Sequence, residues 1–291
     1  MTRAVAPAVV PVLEIGGTHV TAALVDAGAR RVRAQTRSSI DADGSAAALL
    51  ESFAAAARAL QAGPDRTWGV ALPGPFDYAR GVGDFAGVAK FAALTGVRVG
   101  DELSARLDAR AIRFVNDADA FAIGEAVLGG VAGRAAFLTL GTGIGSCFLD
   151  DGVPVHDAPG IPPGGRVHLL HHAGLPLEDV VSTRAIVRAH AEAGGARLDV
   201  RTIADRARHG DARAAAVFER AFVALGEALA SALTAFDCRA LVVGGAISQA
   251  WDLVRPALAA GLSAAGAPAR LDLRPARSHD SALLGAALAA G

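Results

Sequence analysis

The sequence predicts an α/β protein built from two related halves, and three observations carry that prediction. A short β-branched run, a glycine turn and a second strand-like run occur in that order twice, at 9–25 and at 136–150. Helical apolar spacing fills the intervals between strand-like runs, so the two periods alternate along the chain. The length of 291 residues, 52% of them hydrophobic, suits two modest cores better than one.

Residues 9–15 (VVPVLEI) stop at Gly16-Gly17-Thr18, and 20–25 (VTAALV) resume the strand as far as Asp26, which reads as a hairpin. Residues 45–62 read as a helix. Leu49, Phe53, Ala56 and Leu60 share a face, Ser45 stands at the cap, and Gly63-Pro64 stops it. A strand at 67–72 (TWGVAL) halts at Pro73-Gly74-Pro75. Another at 112–115 (IRFV) runs through Asn116-Asp117 into a helix over 118–128. Residues 136–140 (AFLTL) repeat the opening, stop at Gly141-Thr142-Gly143-Ile144-Gly145, and return as SCFLD before the turn Asp151-Gly152. Residues 154–182, rich in Pro, Gly and His, show no period. Phe218, Phe222, Leu225, Leu229, Leu233 and Phe236 mark a long helix over 212–236. Residues 240–243 (ALVV) form a strand that ends at Gly244-Gly245, with a helix starting near Ser248. Residues 281–290 (SALLGAALAA) form an apolar helix.

The formal net charge is −1, which argues against a protein built to grip nucleic acid or an anionic membrane. Lys90 is the single lysine among basic residues that are otherwise arginines. Cys147 and Cys238 cannot frame a disulfide scaffold, and no CxxC exists for zinc, so both read as reduced, buried thiols. Met1-Thr2-Arg3 opens no long apolar leader, and even the Ala/Leu-rich stretch 221–236 holds Glu227. The expectation is a cytoplasmic protein.

A glycine-rich turn bares backbone N–H groups that can cradle phosphate oxygens. Such turns end strands at 16–17, 141–145 and 244–245. None is a Walker A loop and none opens a helix as a dinucleotide fingerprint does. Each alone is compatible with a plain hairpin turn; all three, across two similar halves, fit a polyphosphate clamp, with hydroxyls from Thr18 and Thr142. Asn116-Asp117 stands where a strand meets a helix N-terminus, a place that favours an ionised carboxylate. From position alone Asp117 is either a helix cap or a base for an attacking hydroxyl.

These motifs resemble, in order, those of the ROK family (repressor, open reading frame, kinase), sugar kinases within the actin-like ATPase/hexokinase fold. Leu13-Glu14-Ile15-Gly16-Gly17-Thr18 resembles the first phosphate motif, 140–146 the second, and Val242-Val243-Gly244-Gly245-Ala246-Ile247-Ser248 the adenosine-side motif. The PGP turn at 73–75 and Gly285-Ala286-Ala287 in the closing helix match as well, so the likeness spans roughly 10–290.

The resemblance implies two ribonuclease H-like domains, a small one at 1–115 plus 279–291 and a large one at 116–278, with a substrate cleft between them. It implies ATP and Mg2+, a sugar-like substrate and a homodimer. Asp117 would be the catalytic base. Pro73, Gly74, Asn116, His168 and Glu178 would contact the sugar. Gly16, Gly17, Thr18, His19, Thr142, Gly143, Gly244 and Gly245 would hold ATP, and Glu14 would hold magnesium directly or through water. Asp119 is expected at the solvent or in a cap.

Departures qualify this. Glu14 replaces the family's usual Asp, and His19 its usual basic residue. In Gly164-Gly165-Arg166-Val167-His168 the sugar-contacting Glu falls on Gly165, and the zinc-binding cysteines that follow in many members are missing. Structural zinc is therefore not expected. His156, Asp157, His168, His171 and His172 do not have a recognised ligand spacing. Leu177-Glu178-Asp179-Val180-Val181-Ser182 still matches. The expected activity is phosphorylation of the primary hydroxyl of a hexose or hexose-like ring. An amino sugar or cyclitol acceptor is the alternative, and an inactive sugar-binding member another. A regulator of the same family needs a winged helix-turn-helix ahead of the first motif, for which the start of the first strand leaves no room. Lys90, in a segment unlike the usual Asn-containing sugar segment, is either a substrate contact or a solvated loop lysine.

Overall fold

In the computed structural model, which describes residues 9–88 and 90–291, strand–turn–strand segments form where glycine interrupts β-branched runs. The N-terminal reading at Met1-Thr2-Arg3 lies outside the described residues. β1 (Val9–Ile15) and β2 (His19–Asp26) pair antiparallel from Val9↔Asp26 to Ile15↔Val20. β3 (Arg31–Ser39) extends that meander, with a shift in register between Leu24 and Val25. α1 (Ala46–Arg58) starts where Ser45 Oγ accepts from Ala48 N at 3.3 Å. β4 (Thr67–Leu72) lies parallel to β1. A small hairpin of β5 (Phe76–Asp77) and β6 (Val82–Gly83) follows, then α2 (Val99–Leu107) and β7 (Ala111–Asn116), parallel to β4. α3 (Asp117–Gly129) continues directly from β7.

The pattern then repeats. β8 (Arg134–Leu140) and β9 (Ile144–Asp150) form the second glycine hairpin, and β10 (Val153–Val155) extends it. The segment after it holds short 3₁₀ turns at Pro163–Gly165 and Val167–Leu169, a hairpin of β11 (His171–His172) and β12 (Leu175–Pro176), and α4 (Glu178–Val181). α5 (Thr183–Glu192), α6 (Val200–Arg208) and the long α7 (Ala212–Ala235) precede β13 (Ala240–Gly244), which lies parallel to β8. α8 (Trp251–Ala264), β14 (Asp272–Pro275) and α9 (Ser281–Ala290) complete the chain.

The two sheets have the same plan: β3-β2-β1-β4-β7 and β10-β9-β8-β13-β14. In each, the first strand is central, flanked by its antiparallel partner on one side and two parallel strands on the other. The chain divides into two compact units, residues up to Gly124 together with Asp280–Gly291, and Glu125–His279. Each has its own core, one around Leu13, Phe53, Val70 and Leu103, the other around Leu138, Phe148, Phe222 and Leu258.

α9 belongs to the first unit because its apolar residues, buried from Ser281 to Ala287, pack against β1, β4 and β7. Gly285 touches the backbone of Ala120, an approach any Cβ would block. In the second unit Glu125, almost fully buried, accepts from the backbone N–H of Arg277 (2.9 and 3.0 Å) and Ser278 (3.0 Å). No helix among the described residues is long and apolar enough to cross a membrane.

Some elements carry no sequence signal. β3 is exposed along most of its length and rich in arginine, so it lacks the alternation of a half-buried strand. The helix expected near Ser248 begins at Trp251, after a 3₁₀ stretch over Ala246–Ala250. Both cysteines are buried thiols outside any disulfide, and burial pushes the Cys238 thiol up to about 12.

Candidate active site

The junction of β7 and α3 is a turn that needs acceptors for its first N–H groups. Asn116 supplies one: its Oδ1 accepts from Ala118 N (2.9 Å) and Asp119 N (3.3 Å). The cap is therefore Asn116, not Asp117. The Asn116 amide donates to the Tyr78 hydroxyl (2.9 Å), which donates to the Leu72 carbonyl (3.2 Å). This chain of bonds fixes the Asn116 side chain and ties it to the strand that leads into Pro73-Gly74. Pro73 is half-buried and Gly74 is exposed. Burial, the largest cause, raises the Tyr78 hydroxyl, so it remains a donor at neutral pH.

Asp117 accepts from Ala118 N at 2.9 Å. The N-terminus of the helix was expected to hold it ionised. The shift runs the other way: burial raises its carboxyl, Asp119 raises it further, and the Ala118 N–H only partly opposes them. Asp119 itself is buried, 7% exposed, and not at the solvent. Glu14 in β1 is pushed up to about 7, first by burial, then by the Asp117 charge, with Asp280 adding to the rise and Arg37 opposing it. Asp117, Glu14 and Asp280 thus form an acidic neighbourhood within the first unit. Sequence reasoning missed Tyr78, Asp280 and Arg37. Tyr78 was legible as the only tyrosine, just past the PGP turn. Arg37 was not, because its strand gave no signal.

Both hairpin turns use their first glycine to close. Gly16 N donates to the His19 carbonyl (2.9 Å), and Gly141 N to the Gly143 carbonyl (3.0 Å). Among the described residues nothing accepts from the N–H groups of Gly17, Thr18, Thr142 or Gly143, which leaves them for a ligand. The Thr18 hydroxyl bonds His19 Nδ1 (2.8 Å). Lys90 lies across Gly17: a Cβ there would stand 2.6 Å from its Nζ. Glu178 lies against Gly143 and its Oε1 accepts from Ile144 N (3.1 Å), so this expected sugar ligand also braces the second turn. Gly244 ends β13, and a Cβ on Gly245 would strike the backbone of Leu140. Close packing of β13 on β8 thus requires glycine at 245, whatever else the turn does.

Gly165 has φ +69°, a conformation that favours glycine. Ser146 staples this segment: its hydroxyl donates to the Gly165 carbonyl (2.7 Å) and accepts from Val167 N (2.8 Å). His168 follows, half-buried. His172 is engaged elsewhere, its Nε2 2.6 Å from Glu227 Oε2. Among the described residues no group of three or more His, Cys, Asp or Glu side chains is placed to hold a metal ion.

Comparison with known proteins places this geometry in context. The sequence model of the ROK family matches residues 11–290. The chain is 28% identical over 271 residues to a glucokinase of Thermotoga maritima, covering 83% of each chain. It is 32% identical over 187 residues to an N-acetylmannosamine kinase of Escherichia coli, covering 60% of this chain and 63% of that enzyme. Its fold matches a ROK family glucokinase from Streptomyces griseus, solved with glucose and AMPPNP, at a TM-score of 0.78 and 22% identity over 96% of this chain and 98% of the other. A ROK family transcriptional regulator, a homologue of the E. coli MLC protein, shares the fold at 0.78 and 21% identity over 97% of this chain and 77% of the regulator. The fold is that of the actin-like ATPases, and the chain belongs to the ROK family.

Proposed function

We propose, taking ROK membership as the premise, that this chain transfers the terminal phosphoryl group of ATP to the primary hydroxyl of a hexose or hexose-like ring. The observation that carries the reading is Asp117. It is a carboxylate in a protected setting beside an Asn whose amide is locked by Tyr78. A base needs a pKa nearer neutrality than a surface carboxylate has, and burial moves Asp117 in that direction. Asp117 takes the hydroxyl proton as the oxygen attacks, and Asn116 orients the ring. The unclaimed N–H groups of Gly17 and Thr18 in the first turn, and of Thr142 and Gly143 in the second, bind phosphate oxygens. Gly244 and Gly245 face the adenosine.

A carboxylate oxygen is a donor that magnesium accepts, and Glu14 supplies one in the first unit. Glu14 is held partly protonated by burial and by a neighbouring acid, and a bound divalent cation would favour its ionised form. Glu14 would hold Mg2+, and the ion supplies positive charge against the phosphate oxygens. Cytoplasmic location and a homodimer complete the proposal, the latter checked by light scattering.

The acceptor's identity turns on Gly165, where the family's pattern has a Glu. Without that acceptor one edge of the ring loses a partner. His168 and the free oxygen of Glu178 remain to read hydroxyls. Likeness to both a glucokinase and an N-acetylmannosamine kinase supports an acceptor that varies at that edge, an amino sugar or cyclitol included. An ADP-release assay over hexoses, amino sugars and cyclitols tests the activity. Comparison of kcat/KM for glucose, 1-deoxyglucose and a 6-deoxy analogue tests the edge. We expect 1-deoxyglucose to stay within about a hundredfold of glucose and the 6-deoxy analogue to give no product. A larger loss with 1-deoxyglucose would mean that the edge is still read strictly. No ADP release with any acceptor would leave an inactive sugar-binding protein.

A further inference from the structure

We infer that Lys90 is a phosphate-binding residue: its ammonium, with the N–H groups of Gly17 and Thr18, holds the terminal phosphate of a nucleoside triphosphate at the first glycine turn. The inference rests on the kinase reading above and adds a cationic ligand that the turn itself lacks.

The geometry starts from Phe91. Its side chain is 1% exposed and packs against Phe53 and Phe85, and its N–H donates to the Ala42 carbonyl (2.9 Å). This anchor fixes the backbone next to Lys90, so the lysine leaves the core from a defined point. Its stem then crosses the bare face of Gly17. A Cβ there would meet Nζ at 2.6 Å, Cδ at 2.9 Å and Cε at 3.0 Å. The stem packs on glycine, and the charged end stops at the turn.

Three further facts point to an anion. Lys90 is exposed, so a ligand can reach it. Among the described residues no carboxylate pairs with its ammonium within 4.0 Å. Among the described residues nothing accepts from the N–H groups of Gly17, which lies under the stem, or of Thr18, the next residue in the turn. A point charge with three donors, next to two unclaimed amides, matches the oxygens of a phosphoryl group. A sugar hydroxyl would use one of those donors and leave the others to water.

Isothermal titration of the full chain with AMPPNP, ADP and AMP in the presence of magnesium separates the possibilities. Lys90→Met keeps the stem over Gly17 and removes the charge; Lys90→Arg keeps the charge. We expect Lys90→Met to weaken AMPPNP about tenfold or more, ADP less, and AMP by less than twofold, with Lys90→Arg recovering much of the loss. The melting temperature should be unchanged, which separates lost binding from lost folding. Equal affinities for AMPPNP in wild type and Lys90→Met would overturn the assignment and leave the kinase reading standing. So would a uniform shift across all three nucleotides, or a change confined to KM for the sugar. Wild-type protein that binds no AMPPNP would fail both.

Discussion

In the first unit the hairpin turn Gly16–His19 has the ammonium of Lys90 across Gly17, whereas in the second unit the turn at Gly141–Gly143 has the carboxylate of Glu178 against Gly143. The strands leading into them differ in the same way. Glu14 precedes the last residue of β1, and at the matching place in β8 stands the neutral Thr139. Strand order, hairpin pairing and the use of the first glycine N–H to close the turn are common to both. A repeated backbone therefore does not carry a repeated chemistry. The space that glycine leaves open is filled by a cation in one half and an anion in the other, and the acidic neighbourhood of Asp117, Glu14 and Asp280 belongs to the first unit alone.

The strongest test of that asymmetry is Asp117→Asn. We expect turnover to fall by about 10²–10⁴ with nucleotide affinity nearly unchanged, the usual worth of a general base. Steady-state kinetics beside a titration with AMPPNP checks both halves of the statement. Near-normal turnover would break the assignment of the chemistry to the first unit.

Gly245→Ala should cost about 2–4 kcal/mol of stability, because the new Cβ meets the Leu140 backbone at φ +85°. Chemical denaturation measures it. A cost under about 1 kcal/mol would show that β13 and β8 can part without penalty.

Glu14→Gln sharpens the contrast with Thr139 through pH. The Glu14 carboxyl rises from 4.5 to about 7 on folding, so the native state binds more protons than the unfolded one across that window. Its contribution to stability therefore falls as pH rises from about 4.5 to 7. Glu14→Gln should gain on wild type as pH increases, by at most about 3 kcal/mol at pH 8, and should show no gain below pH 4.5. Denaturation without divalent ions at several pH values checks it; a gain that shrinks with rising pH would reverse the sign. Added magnesium should narrow the gap if Glu14 holds the ion.

The smallest expected effects on stability are at the turns themselves. A Cβ at Gly141 meets nothing within 4 Å, and the atoms nearest one at Gly17 are those of the flexible Lys90 side chain. Alanine at either should change stability by less than about 1 kcal/mol. For Gly17→Ala, however, AMPPNP should bind more weakly as the ammonium is pushed aside. A large loss of stability at Gly17 would mean that Lys90 cannot move.

The alternation of strands and helices, the two glycine hairpins, the closing helix and the Asn-Asp junction were all legible in the chain before folding. Each is written in local terms: β-branched runs, glycine where strands turn, apolar residues every third and fourth position. The sequence also located the likeness to ROK kinases, because those motifs are short and contiguous. The rest waited on the folded chain, since burial and charge partners come from residues far apart in the sequence. Local position suggested that Asp117 caps its helix and stays ionised. The fold gives the cap to Asn116, which Tyr78 holds from 38 residues away, and draws Asp117 half-buried into the neighbourhood of Glu14, where loss of solvent raises its carboxyl. Nor could the sequence show that Lys90 reaches Gly17 or that Glu178 reaches Gly143. Those approaches depend on how loops pack over a sheet, and a side chain's electrostatic role is set by what the folded chain brings within a few ångströms of it.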